Sequence, residues 1–452
     1  MTPQAQATPA ARQRGAAALV VTMLLFFAMV LVAVFVNRNL VFEQRASANQ
    51  YRSTQAFEAA EAGLEWAQAQ LNNPDRLDAV CGPVNDAAAT SFRARYLSYA
   101  KATSAFTPIT WNNGGGVTAL QPTCVRTSSG WACSCPVNGA PVLSAPTGNN
   151  PAPAFTLQFT AGAKPGVVHV TATGCTRLAG ACLAGSTANA DATARVQADL
   201  ALLGGLRTPP TATLTTRGAF DADAATLGVH NPDPDSGIAI HAGSTVAAAQ
   251  ARLSTPAGAS LAGAVIGNDL ALAALGTDAF FATYFGLDKA GWRNQPSVAR
   301  IDCRSGCTSA LVAAIASAGN NPMLWVEGDL TLAGPLTLGS PQRPALIVVN
   351  GAVRLDGAVL LHGLVYGRSL GWNGTTGSGA AVRGALISEA DYLGNGAPEL
   401  FYDTELLALL KGSSGSFVRV SGSWRDFWAP PGNVFDIPAP RGHSKWQSRI
   451  CL

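Results

Sequence analysis

Few residues in this 452-residue chain are spaced for chemistry. Gly367-Arg368-Ser369-Leu370-Gly371 has the GxSxG spacing of a nucleophile elbow and follows the strand-like Leu364-Val365-Tyr366. An elbow must run into a helix. Here Trp372-Asn373-Gly374-Thr375-Thr376-Gly377 follows, which is a turn, so Ser369 does not read as a nucleophile. Asp403 and Glu405 are close enough for a carboxylate pair, but Phe401-Tyr402-Asp403-Thr404-Glu405-Leu406 fits a helix start capped by Asp403 or Thr404. Asn231, Asp233 and Asp235 place three oxygen-bearing side chains at alternate positions, as in the first half of a calcium loop. The acidic residue that would close such a loop is replaced by Ala242, and Pro232 and Pro234 stiffen it. A plain surface turn is the stronger reading, with calcium as the alternative and no other cofactor implied. There is no Walker loop, GxGxxG or HExxH. In Trp424-Arg425-Asp426-Phe427-Trp428 the aromatics fit a sheet-edge lock better than a binding platform.

Nine cysteines stand at 81, 124, 133, 135, 175, 182, 303, 307 and 451. None forms CxxC, and the histidines (169, 230, 241, 362, 443) are scattered, which argues against zinc. Cys175/Cys182 and Cys303/Cys307 each enclose a short glycine-containing loop and could close locally. Cys124 and Cys133 belong to a third group with Cys81 and Cys135. Pairing within that group is open, and the odd count leaves one thiol over. At least three disulfides are expected if the cysteines lie on an oxidising side.

The N-terminus decides that side. Arg12-Gln13-Arg14-Gly15 precedes a charge-free apolar run, Ala16 to Val36, long enough to cross a bilayer as a helix. Basic residues before the run keep it cytoplasmic and send the rest out. No small-residue cleavage site follows the run; small residues stand at its start instead, at Gly15-Ala16-Ala17-Ala18. Further on, Phe57, Ala60, Leu64, Ala67 and Leu71 recur at spacings of three and four, one apolar stripe on a helix. Asn72-Asn73-Pro74-Asp75 stops it. A single helix over 16–72 would be roughly 85 Å long at about 1.5 Å per residue.

Arg-Gln-Arg-Gly before Ala-Ala-Ala-Leu-Val-Val resembles a class III leader of the type IV pilin family. Ala56-Phe57-Glu58-Ala59-Ala60-Glu61-Ala62-Gly63-Leu64-Glu65 is similar to the matching segment of PilX-type pilus assembly proteins. The resemblance covers residues 12 to 71. It implies cleavage between Gly15 and Ala16 by a prepilin peptidase and N-methylation of Ala16. It implies a non-enzymatic minor pilin held in the inner membrane and then built into, or priming, a pilus. Its partners would be other major and minor pilins and the assembly platform, and its large outer lobe would serve assembly or adhesion. Major pilins carry glutamate at the fifth mature position; here it is Val20, which suits a subunit present in few copies. A K-type tip pseudopilin of type II secretion is the alternative. A membrane-anchored β-helix enzyme acting on polysaccharide is the alternative of another class.

The rest follows from pattern and composition. Charged residues are 13% and the net charge is +3 with no basic cluster in the exported part, so no nucleic-acid partner is expected. The fold class is α+β. Residues 1–15 are the leader, 16–72 the helix (16–36 in the membrane), 73–203 a pilin-like head and 204–452 a β-rich display lobe. Residues 73 to about 150 are loop-rich, and strands over 155–159, 167–173 and 193–200 would form an antiparallel meander on the helix stripe. Beyond Gly204-Gly205, Val326-Glu327-Gly328-Asp329-Leu330-Thr331-Leu332-Ala333-Gly334 reappears 23 residues later as Val349 to Gly357. That offset suggests stacked solenoid rungs, an ordinary sheet of similar strands being the alternative. Short helices are expected over 277–289 and 309–318.

Overall fold

A computed structural model describes residues 14–426, apart from 87, 113, 115, 148–151, 184–189, 223–225, 249–250, 318–321 and 375–378. The leader residues Arg12 and Gln13, Phe427, Trp428, His443 and Cys451 lie outside the described residues. One helix runs unbroken from Arg14 to Asn72. Among the described residues it is the one long and apolar enough to cross a membrane.

A six-stranded antiparallel sheet lies against the last third of that helix. Its spatial order is Gly130–Ser134, Thr123–Thr127, Ala154–Ala161, Val167–Cys175, Thr193–Gly204 and Gly415–Arg419. Val168, Val170 and Ala172 alternate inward on one strand, Val196, Ala198 and Leu200 on the next. They share one core with Ala60, Leu64, Ala67 and Leu71 of the helix. Residues 73–120 add three small antiparallel pairs, Arg76–Leu77 with Thr90–Ser91, Leu97–Ala100 with Ala105–Pro108, and Thr110–Asn112 with Val117–Ala119.

The sixth strand alters the expected division of the chain. Gly415–Arg419 pairs with Thr193–Gly204, matching Gly204 to Gly415 and Leu200 to Arg419. The amide of Gly205 then donates to Ser414 O. The lobe is therefore an excursion between two neighbouring strands of the head sheet, and not a C-terminal domain starting at 204. Its two ends meet at the sheet. Deleting residues 207–412 and closing the gap with a two-residue turn is expected to leave a head that folds and forms its three disulfides. Non-reducing peptide mapping and near-ultraviolet circular dichroism check this; scrambled cysteines would show that the lobe is needed for the head.

The excursion is built of parallel strands in three columns. The first runs, in space, Val298–Asp302, Met323–Glu327, the first half of Ala345–Asp356, the middle of Val359–Asn373, the end of Ala381–Ser388, Ala212–Thr216, Ile238–Ala242 and Val265–Ile266. The second runs Leu330–Ala333, the end of Ala345–Asp356, the end of Val359–Asn373, Tyr392–Leu393, Phe220–Asp221 and Val246–Ala247. The third runs Leu336–Leu338, the start of Val359–Asn373, the start of Ala381–Ser388, Glu399–Phe401, Gly228–His230 and Arg252–Ser254. The 23-residue offset is the register of Met323–Glu327 and Leu330–Ala333 along Ala345–Asp356, Val326 beside Val349 and Leu330 beside Val353.

The chain enters this stack in its middle. It winds outward from 212 to 266, crosses to the far end, and winds back from 298 until Leu386 lies beside Leu214. Inward side chains such as Leu324, Val326, Ile347, Val349 and Val365 fill the space between columns. The first column is buried on its outer side too. Trp325, Leu346, Val348, Leu364 and Tyr366 lie in one cluster with Phe281 and Phe285 of the helix Thr277–Phe285 and Leu406 and Leu410 of the helix Thr404–Ser413. Burial on both faces is why these strands read as continuous apolar runs and not as alternations.

Candidate functional site

Every described side chain from Ala17 to Thr54 is exposed, including Phe27 at 69% and Phe42 at 73%. So long an apolar surface on a bare helix marks a membrane or protein contact. Gly15 and Ala16 lie in its first turn, and Val20 is exposed like its neighbours. Burial starts at Ala56.

The change coincides with the small residues of the Ala56–Glu65 motif. Ala56, Ala59, Ala60 and Gly63 form the face that meets the sheet. A β-carbon built on Gly174 would run into Ala56 O and Ala60 N, and one on Gly63 would stand 2.9 Å from the Phe155 ring. Helix and strand therefore touch backbone to backbone, and only residues without bulk fit there. The buried stripe holds Ala60, Leu64, Ala67 and Leu71, where the apolar spacing sets it, but begins at Ala56 and not at Phe57. Phe57 is a correction: it is half-buried at the edge of the face, with its ring edge-on to Trp424 at 6.3 Å. Trp424 sits beside Arg425, whose backbone exchanges two hydrogen bonds with Gln197 and extends the sheet.

A polar clasp closes the helix end. Asn72 is 4% exposed; its Nδ2 donates to Phe417 O at 2.9 Å, and Phe417 N donates to its Oδ1 at 2.6 Å. The amide thus does for the edge strand what a further strand would do. Arg93 donates from Nε to Leu71 O at 2.9 Å, a carbonyl the helix end leaves unpaired, and from Nη2 to Gly415 O at 2.8 Å. Its guanidinium lies 4.9 Å from the centre of the Phe417 ring, and burial brings its pKa down to about 10. Arg95 donates to Cys135 O at 2.8 Å and to Asp78 O at 2.6 Å, and burial lowers its pKa as well. Sequence reasoning took Asn72 for a helix stop and passed over both arginines; the signal was a polar residue at a helix end flanked by apolar segments.

The cysteines are joined as Cys81–Cys135, Cys124–Cys133, Cys175–Cys182 and Cys303–Cys307. The first three belong to the head; the fourth closes the turn that leads into the helix Ser309–Ser317 at one end of the lobe stack.

The remaining sequence candidates have structural surroundings. Ser369 lies within the strand Val359–Asn373, paired with Ala352, with no turn into a helix. Asp403 caps the helix Thr404–Ser413 by accepting from Leu406 N at 2.9 Å, while Glu405 pairs with Lys101. Asn231 is fully buried: Nδ2 donates to Ile238 O at 2.7 Å and Oδ1 accepts from Asp233 N at 2.9 Å. Asp233 accepts from Ser236 Oγ at 2.8 Å and from Asp235 N at 3.4 Å. These groups fold the turn on itself, and Asn231 does not point outward with the two carboxylates.

Comparison with known proteins returns one family. Residues 14–65 match the PilX N-terminal family. The match begins and ends with the bare helix and the motif seated on the sheet, so the likeness to PilX-type pilins lies in this N-terminal region. No curated protein matches the chain. Among solved structures, the competence-associated pilin ComZ from Thermus thermophilus is 12% identical over 83% of this chain and 97% of that one, with a TM-score of 0.18, too low to equate the folds.

Proposed function

We propose that the chain is a minor pilin of a type IV pilus, a filament subunit that carries a large lobe at the filament surface or tip. The observation that supports this most is one continuous helix, bare to Thr54 and buried from Ala56, coinciding with the PilX N-terminal match. In this reading the head is a helix laid on an antiparallel sheet, and the inserted lobe is a three-sided β-solenoid. The bare half waits in the inner membrane with its N-terminus cytoplasmic. A prepilin peptidase cuts between Gly15 and Ala16, and Ala16 is methylated. The assembly platform then moves the helix among those of other major and minor pilins.

Val20 fits a role in few copies. Partners would meet an apolar side chain there, with no carboxylate to be desolvated in the filament core. The insertion of the lobe fits the same role. Both of its ends are fixed to one sheet edge, and its bulk would hinder close repetition along a shaft.

Mass spectrometry of the membrane-extracted protein from cells with an active prepilin peptidase is expected to find a methylated N-terminus at Ala16. A terminus at Met1, or one beyond Val36, would refute the pilin reading. Immunogold on sheared filaments should then find the lobe sparsely on pili; decoration of secretion complexes without pili would favour the pseudopilin.

A further inference from the structure

The third column of the lobe carries chemistry that assembly does not use. Arg252–Ser254, Gly228–His230 and Glu399–Phe401 are neighbours there, with His230 between Ser254 and Phe401 and Gly228 between Arg252 and Glu399. Val229 and Leu400 point into the core, so the residues flanking them face out. Ser254 Oγ is 2.7 Å from His230 Nδ1, and His230 Nε2 is 2.7 Å from Glu399 Oε2. The other Glu399 oxygen pairs with Arg252. A β-carbon on Gly228 would collide with Glu399 Oε2. The bare glycine is therefore what lets the carboxylate lie across its strand and reach the imidazole. The His230 ring stacks on Phe401 with centroids 4.7 Å apart and planes at 20°, which fixes its orientation. Ser254 is exposed, while the His230 and Glu399 side chains are 20% and 31% exposed. A nucleophile, a base and a carboxylate that orients the base thus stand in hydrogen-bond sequence.

We propose that Ser254, His230 and Glu399 form an acyl-transfer site that cleaves carboxylic esters presented to the outer face of the lobe. Ser254 Oγ forms a bond to the ester carbonyl carbon while its proton passes to His230 Nδ1. Nε2 keeps its proton, shared with Glu399, whose charge steadies the imidazolium. Collapse of the tetrahedral adduct breaks the bond to the alcohol oxygen, and the alcohol leaves with the Nδ1 proton. Water then attacks the acyl-serine by the same path, releases the carboxylic acid and restores the serine. Ser254 and His230 are the catalytic residues and Glu399 is a positioning residue. Burial, and after it the charge of Arg252, hold the His230 pKa below its ordinary value, so the ring is a neutral base near pH 7. The alternating strands form an open outer face, which suits esters borne on an extended or surface-attached molecule.

The test uses the full chain in detergent and a fluorophosphonate probe, with the adduct located by peptide mass spectrometry. The probe is expected on Ser254 and absent from Ser254→Ala. His230→Gln should slow labelling by roughly 100-fold, the usual scale for loss of a general base. The charged groups facing His230 are Glu399 and Arg252. Glu399→Gln removes the favourable one, so the pH of half-maximal labelling should move down; an unmoved profile would remove Glu399 from the site. An unlabelled Ser254, or labelling undiminished in His230→Gln, would overturn the proposal. An intact disulfide map in each variant shows that the fold is kept. Failure here leaves the N-terminal processing and filament tests unaffected.

Discussion

Gly174→Leu is expected to unfold the head, whereas Gly263→Leu leaves its melting unchanged. Gly174 has ordinary backbone geometry, so the difference lies in what surrounds it. Any β-carbon there meets Ala56 O and Ala60 N of the long helix, main-chain atoms that cannot rotate aside, while Gly263 faces open space. The helix would have to lift from Val167–Cys175, the strand at the centre of its contact with the sheet. Overpacking costs about 1–3 kcal/mol where side chains can yield, and here they cannot, so roughly 3 kcal/mol is a lower bound. A domain of this size loses about 2–4 °C per kcal/mol. The comparison is made by thermal melting of a soluble fragment beginning at Gln44, which keeps the whole buried half of the helix. Equal melting of Gly174→Leu and the parent would mean that the helix does not rest on this strand.

That contact shows how far the sequence carries. The extent of the helix and the positions of three sheet strands can be read directly, because apolar periods of 3.6 and 2 are local signals. The helix expected over 16–72 spans Arg14–Asn72, and the strand expected over 167–173 spans Val167–Cys175. Counting apolar residues nevertheless places Phe57 on the buried stripe, when Ala56 and Gly63 matter more. A close helix–sheet contact selects for lack of volume, and a hydrophobicity count treats small residues as weak. Prediction from the same stripe, that Phe57→Asp destabilises more than Glu58→Ala, now rests on a half-buried ring against Trp424 and on an exposed glutamate.

The lobe divides in the same way. The 23-residue echo identifies two neighbouring turns of the stack because each repeats the other's environment. It cannot reveal that Ala212–Thr216 lies beside Ala381–Ser388, since that pairing joins segments with no shared pattern. The candidate chemistry was hidden for the same reason. Ser254, His230 and Glu399 are separated by 24 and 169 residues, and no motif spans such distances; only the parallel register brings them together. Ser369, which does have a motif, lies inside a strand where the motif has no turn to act through.

Asn72→Ala is expected to be the most damaging single truncation of a polar side chain in the head. Its two hydrogen bonds go to the N–H and C=O of Phe417, a residue with no exposed surface. Removing the amide leaves both groups buried without a partner, at about 1–3 kcal/mol each. Asn72→Asp sharpens the test. It retains an acceptor for the N–H but sets a carboxylate against the carbonyl, so it should recover little of the loss. Half-buried Asn73→Ala would serve poorly as a control, because Asn73 Oδ1 holds the turn at Asp75 N; Ser53→Ala, on the exposed helix, is the better one. Hydrogen exchange is the direct measurement. In the parent the Phe417 amide should be among the slowest in the head, and in Asn72→Ala the whole strand Gly415–Arg419 should exchange faster while Val167–Cys175 changes less. Uniform loss of protection would mean that Asn72 supports the head as one unit. Protection unchanged at Phe417 would mean that the returning strand is held by its pairing with Leu200–Gly204 and by Arg93, and that the clasp between the helix end and the lobe insertion does not fix where the lobe leaves the head.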